Sequence, residues 1–370
     1  MQVQVKDVVS MLDQHFPSHL AETWDNVGLQ VGSYEKTVNR IAVALDLDQE
    51  ILQKATAKSA DLIITHHPLF FQPFPSICTD FPQGKLLKDL LKEDITVFSA
   101  HTNMDAAEKG LNQYLAEKLG LQNIHLLLKS REESLCKLVV FVPMGHEETV
   151  RQALSQGGAG VLGQYSDTSF RTAGIGTFRP QEGSNPFIGS IDQLEEVEEF
   201  RLETVAYERD IPRLVDIMKK NHPYEEVAYD VIKLENPGKI YSMGRKGYLP
   251  AETDLYSFAQ EVKRRLNLQN LRLIGNPQQK IKTVAVISGS GKSLLPKVYG
   301  AVDVLVTGDI GYHEAKEALA RGLAIIDAGH QETEEIIVSY LCQLIDKESE
   351  LRGWSIETIP LYSPKCFTFI

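Results

Sequence analysis

Ala60-Asp61-Leu62-Ile63-Ile64-Thr65-His66-His67-Pro68 decides how this chain is read. A short apolar and β-branched run, bounded by a polar residue and a proline, predicts a buried strand. The paired histidines lie just past its C-terminal end. Open α/β sheets build ligand sites there, because the strand is rigid and the following loop faces a crevice. The arrangement recurs twice. Ile95 to Ala100 leads into His101-Thr102-Asn103-Met104-Asp105, and Ile325-Ile326-Asp327-Ala328-Gly329 leads into His330-Gln331-Glu332-Thr333-Glu334. Three strand ends loaded with His, Asp and Glu point to a metal site.

Working outward, strands and helices alternate on both sides of a different middle. A helix is predicted at Val5 to Phe16, a loop at Trp24 to Gln30 and a strand at Ile41 to Leu45. Asp48 is placed to cap a helix at Gln49 to Lys58. Leu62 to Thr65 reads as a strand, Gly84 to Glu93 as a helix, Ile95 to Ala100 as a strand and Gly110 to Leu119 as a helix. A polar stretch from Leu128 to Glu133 marks a boundary. Beyond it come a strand at Lys137 to Pro143, a helix at Glu147 to Gly157 and a Gly/Ser/Thr-rich region from Gly158 to Gly189 read as loop. Two strand-like runs, Gly174 to Phe178 and Glu198 to Ala206, are followed by a helix at Ile211 to Asn221 and a last strand through Leu234. After Asn236-Pro237-Gly238, strands return at Lys282 to Ser288, Val302 to Thr307 and Ala324 to Asp327. At 370 residues, more than one core is expected. The expected fold is α/β: a layered, mixed-sheet metal-binding domain in two segments, 1–128 and 239–370, interrupted by an α+β insert domain at 129–238.

The formal net charge of −12 argues against nucleic acid and anionic membranes as partners. No apolar run approaches bilayer-spanning length, and the start lacks a signal-peptide pattern. Cys78, Cys136, Cys342 and Cys366 are scattered and form no CxxC pair, which suits reduced thiols. A cytoplasmic protein is expected.

His330 and Glu334 are four apart, the spacing that puts two side chains on one helical face. Gly329 frees the backbone to turn into that helix. His66 and His67 can diverge at a loop and serve two metals. Two ions a few ångströms apart, sharing a carboxylate, would account for five ligands: His66, His67, Asp105, His330 and Glu334. Each residue alone has a plainer reading, with Asp105 as a helix N-cap and Glu334 as a solvated helix charge. Together those readings need a coincidence at three strand ends. His101 is read as a proton carrier or an outer support of the site, with a purely structural role as its alternative. His313, in Thr307-Gly308-Asp309-Ile310-Gly311-Tyr312-His313, either enters the same crevice or lies on the following helix. Ser288-Gly289-Ser290-Gly291-Lys292-Ser293 lacks the first glycine of a phosphate-binding loop, having Val286 there; it is a candidate anion or close-approach loop. With no GxSxG elbow in the chain, nucleophilic acyl chemistry is disfavoured.

Taken in order, Trp24-Asp25-Asn26-Val27-Gly28-Leu29-Gln30, Thr65-His66-His67-Pro68, His101 to Asp105, Thr307-Gly308-Asp309 and Gly329-His330 to Glu334 resemble the GTP cyclohydrolase I type 2 homologue family, also described as NGG-interacting-factor-like and including the YbgI/YqfO group. The resemblance implies an α/β protein forming a toroidal homohexamer, with a dinuclear metal site in each subunit. The same five residues would be the ligands and Glu334 the bridging carboxylate. Lys137 to Val142 and His222-Pro223-Tyr224-Glu225 resemble the long members, whose insert is PII/CutA-like.

Two divalent ions per subunit are therefore expected, zinc first, with iron or manganese as alternatives. The expected activity is hydrolysis of a nucleotide-like or phosphorylated small molecule, with His101 or His313 relaying the proton. The alternative is a non-enzymatic metal-binding regulator, sensor or interaction ring.

Overall fold

The computed structural model describes residues 2–73 and 76–368. Residues up to Arg131 and from Tyr241 onward form one compact unit, and Glu132–Ile240 a second. The first segment runs α1 (Val5–His15), β1 (Gly28–Val31), β2 (Arg40–Ala44), α2 (Gln49–Ala57), β3 (Leu62–Thr65), α3 (Pro82–Lys92), β4 (Thr96–Ser99), α4 (Thr102–Ala106), α5 (Leu111–Lys118) and β5 (Gln122–Leu126). The chain leaves through β6 (Arg131–Glu132). The second unit holds β7 (Leu135–Pro143), α6 (Glu147–Gln156), β8 (Ser169–Phe178), β9 (Glu195–Tyr207), α7 (Ile211–Asn221) and β10 (Tyr229–Leu234). The chain returns through β11 (Ile240–Tyr241) to β12 (Arg245–Asp254), α8 (Leu255–Arg265), β13 (Arg272–Ile274), β14 (Lys280–Ser290), α9 (Leu295–Val298), β15 (Val304–Gly308), α10 (Tyr312–Ala320), β16 (Ala324–Asp327), α11 (His330–Glu334), α12 (Ile336–Arg352) and β17 (Glu357–Pro360).

Both sheets of the first unit are mixed. One has the order β1-β4-β3-β2-β17, with β17, β2, β3 and β4 parallel and β1 antiparallel at the edge. The other has the order β13-β16-β15-β14-β12-β5, with β14, β15 and β16 parallel and antiparallel strands on either side. Side chains alternate between the faces of a strand, so each parallel strand feeds two cores. In β2, Ile41 and Val43 pack with α1 and α12, whereas Ala42 and Ala44 pack with Ile51, Leu52, Leu86 and Leu90 of α2 and α3. In β14, Val284 and Val286 join Leu115 of α5 and Phe258 of α8, whereas Ala285 and Ile287 join Leu295 and Val298 of α9. Burial on both faces explains why these strands read as continuous apolar runs.

Asp48 caps α2, accepting from the Ile51 N–H at 2.8 Å. Two expectations are corrected. Gly28-Leu29-Gln30, read as loop, belongs to edge strand β1, which pairs with Phe98 and Ser99 of β4. The region from Gly158 to Gly189 is not all loop, because β8 starts at Ser169 and pairs with β9 along its whole length. Its side chains are nearly all exposed, so no apolar alternation announces it. The second unit is a β-α-β-β-α-β arrangement with antiparallel sheet order β10-β7-β9-β8. Among the described residues, no helix is long and apolar enough to cross a membrane.

Candidate metal centre

The C-terminal ends of the parallel strands carry the polar groups. His66 and His67 follow β3; their N–H groups reach back to the carbonyls of Ala44 and Leu45, so the neighbouring strand β2 fixes their backbone. His101 and Asp105 follow β4, and Asp309 follows β15. Gly329, at φ +93°, turns the chain from β16 into α11, whose His330 and Glu334 lie on one face. Only a residue without Cβ adopts that φ cheaply.

These side chains converge. Glu334 Oε2 stands 3.0 Å from Nε2 of His67 and 3.0 Å from Nε2 of His330. Its other oxygen faces His66 Nε2 at 3.9 Å, and Asp105 Oδ1 approaches that same nitrogen at 3.6 Å. The rings of His66, His67 and His101 lie with centroids 5.1–5.4 Å apart. Two donor groups result, His66 with His67 and His101, and His67 with His330 and Glu334.

The opposite nitrogen of every ring is already held. Nδ1 of His66 lies 3.0 Å from the Ala100 carbonyl, that of His67 2.7 Å from Asp46, that of His101 3.0 Å from Asp25 and that of His330 2.7 Å from Asp309. An Nδ1 that donates to an oxygen leaves the Nε2 lone pair free in the neutral ring, and such partners are what orient metal-ligating imidazoles. Asp25 is fixed in turn by the backbone N–H of Thr102 at 3.0 Å and by its hydroxyl.

The centre fits metal ions on three observations. His66 Nε2 is wholly buried with no hydrogen-bond partner among the described residues, and Glu334 Oε2 has none of adequate geometry despite its two close nitrogens. Buried polar atoms left this way are uncommon, and a bound ion would satisfy both. Gly289, at φ +59°, leaves the space that the Glu334 carboxylate fills; a Cβ there would collide with it. The surroundings are strongly acidic. Arg272 is the one Lys or Arg among the described residues of the adjoining cavity, and its guanidinium is engaged by Asp327 and the Ile310 carbonyl.

Burial and close opposite charges compete at every one of these groups. Burial holds His66 down to about 3 and pushes Asp105 up to about 7. Burial opposes a charge on His67, yet Asp46 and Glu334 outweigh it and lift the ring to about 10. Glu334, then Asp309, lift His330 to about 9 despite its burial. Burial would raise Glu334, but His330 and His67 hold it well below the usual carboxylate range. Desolvation is likewise overcome at Asp25, which His101 and Thr102 keep at about 2.

Thus His66, His67, Asp105, His330 and Glu334 come together, and His101 joins them. Asp105 is a buried residue inside α4, four past its N-cap His101, and Glu334 is almost wholly buried, so neither plainer reading describes it. His313 is not brought in: it is exposed on α10, with its ring against Tyr312 at 5.4 Å. Sequence reasoning missed Asp25, Asp46 and Asp309 as the groups that orient the imidazoles, although each sits in a polar strand-end or loop motif. A cavity of about 690 Å³ opens beside the centre, lined by Asp46, His67, Asp309 and His330 on one side and by Asn270, Arg272 and Phe367 elsewhere.

With this geometry in hand, comparison with known proteins is specific. Residues 3–364 match the family model described as Duf34/NIF3 (NGG1p interacting factor 3). The chain is 39% identical over 371 residues to a GTP cyclohydrolase 1 type 2 homolog of Halalkalibacterium halodurans, covering 98% of each chain. It is 41% identical over 330 residues to the Bacillus subtilis protein of that name, covering 89% of this chain and 88% of the relative. The crystal structure of a Bacillus cereus protein related to NIF3 superposes with a TM-score of 0.89 at 38% identity, over the whole of both chains.

Proposed function

The chain belongs to the Duf34/NIF3 family, and from that membership and the geometry of its strand ends we propose a dinuclear metal-dependent hydrolase of a nucleotide-like or phosphorylated small molecule. The observation that carries this reading is the division of Glu334. Its Oε2 faces His67 and His330 and its Oε1 faces His66, which Asp105 also approaches. In this reading His67, His330 and Glu334 would hold one ion, and His66, Asp105 and Glu334 would hold the other. Nitrogen and carboxylate donors without thiolate suit zinc, iron or manganese.

Bound there, a pair of such ions supplies a water of lowered pKa and polarises a phosphoryl or ring centre. The protein's own part is positional. Asp46, Asp309 and the Ala100 carbonyl hold the Nδ1 side of three imidazoles, so ring orientation is set before binding. His101, steadied by Asp25, presents Nε2 to the same space and serves as the proton carrier. The acidic walls disfavour a bare phosphate, so an anionic substrate would rely on the positive charge that bound ions would supply. The cavity size is in the range of small-molecule sites. The insert as a PII/CutA-like unit, and a toroidal homohexamer, belong to the same proposal; light scattering reads the assembly.

The test is hydrolysis of GTP and of simple phosphoesters by metal-loaded protein, with His67→Ala and Glu334→Ala alongside. Turnover lost in both variants, with the fold retained, supports the enzyme. Two bound ions with none of these substrates turned over would favour a metal-binding regulator. One observation already speaks for that second reading: the Glu132–Ile240 unit carries a cavity of its own.

A further inference from the structure

That second cavity, about 500 Å³, lies wholly within the Glu132–Ile240 unit. Its walls combine aromatic rings with carboxylates. Phe178 and Phe187 flank Tyr224 with centroids 5.9 Å and 6.3 Å away, and Phe187 meets the His146 ring edge-on at 5.5 Å. Glu199, Glu225 and Glu226 line the same space against a single Arg179, an exposed side chain that donates to the Asp192 carbonyl at 2.8 Å.

Glu199 is the informative residue. It lies on β9, only 7% exposed, and its Oε1 accepts from the Tyr224 hydroxyl at 3.0 Å. Among the described residues, no Lys, Arg or His pairs with it, and no second hydrogen bond reaches its carboxylate. Gly176, on the facing strand β8, leaves it room, since a Cβ there would strike that carboxylate. A largely buried carboxylate whose one hydrogen-bond donor is neutral keeps its charge uncompensated and favours a cation brought to it. Glu225 takes the Asn185 N–H at 2.8 Å and so ties the loop after β8 to the turn before β10.

We infer that this pocket binds a small organic cation, an alkylammonium or quaternary ammonium group seated between the Glu199 carboxylate and the rings of Phe178, Phe187 and Tyr224. Aromatic faces attract such cations through their quadrupoles and tolerate the apolar carbons that carry the charge. An anion would meet three carboxylates. A divalent metal ion would need several converging oxygen or nitrogen donors, and among the described residues no group of three such donors gathers here. The site is chemically independent of the strand-end metal centre, so its test does not depend on that centre.

The experiment is calorimetric titration of the full chain with tetramethylammonium and with butylammonium chloride, at ionic strength held constant with sodium chloride. It is run before and after chelation of metals. At least one probe is expected to saturate at one per chain with Kd below about 1 mM, unchanged by chelation. Glu199→Gln is expected to weaken binding at least about tenfold, and Phe187→Ala severalfold. Phe187 is half-exposed, so its removal leaves folding intact even if the Glu199 variant misfolds. Failure of both probes to saturate, wild-type affinity in a folded Glu199→Gln or in Phe187→Ala, or saturation by magnesium in place of either probe, would each overturn the inference.

Discussion

Asp309 holds Nδ1 of His330 at 2.7 Å from a backbone in the left-handed region, φ +59°. A non-glycine residue there is strained, and such strain persists where the surroundings require it. Here it aims a carboxylate from the end of β15 at an imidazole from the end of β16. Asp309→Asn still fills the space but no longer reinforces the basicity of His330. Metal affinity is expected to fall about 10- to 100-fold, read by competition with a chromophoric chelator, while the melting temperature of the metal-free protein moves little.

Gly289 offers a sharper steric test. Gly289→Ala puts a Cβ against the Glu334 carboxylate, whereas Gly300→Ala, at φ +73°, meets nothing within 4 Å. Both changes carry a left-handed backbone cost of about 1–2 kcal/mol, visible in urea unfolding. Only Gly289→Ala is expected to lose bound metal.

Metal affinity should depend steeply on pH. His67 and His330, lifted to about 10 and about 9 without metal, carry protons at neutral pH. An ion on Nε2 displaces those protons, so binding tightens as pH rises and levels off above the raised values. The expected slope is about tenfold per pH unit for each proton released, between pH 6 and 8. Titration in buffers of different ionisation enthalpy counts the protons. A flat profile would show that the rings are neutral before binding.

The strand-end histidines were legible because the signal is local. Leu62–Thr65, Ala324–Asp327 and Ile211–Asn221 are bounded as their apolar patterns and turn residues indicate. What stayed hidden depends on neighbours distant in sequence. Strand β12 and edge strand β5 carry polar or exposed residues and exist because β14 pairs with β12 and β12 with β5. Arg245 of β12 is fully buried, its guanidinium donating to carbonyls of Ala107, Ser242 and Gly244, a role no single segment announces. The orienting aspartates are hidden for the same reason: Asp25 meets His101 and Asp46 meets His67 only in three dimensions. His313 shows the converse, because a histidine just past a strand end faces solvent once its helix is built.

The central claim is that one carboxylate, Glu334, serves two ions. The most direct measurement is metal content per chain by mass spectrometry of the native protein, for wild type, His330→Ala and Glu334→Ala. The account predicts two ions in the wild type, one in His330→Ala and none in Glu334→Ala. A wild type that takes up no metal, or a Glu334→Ala protein that keeps both ions, would contradict it.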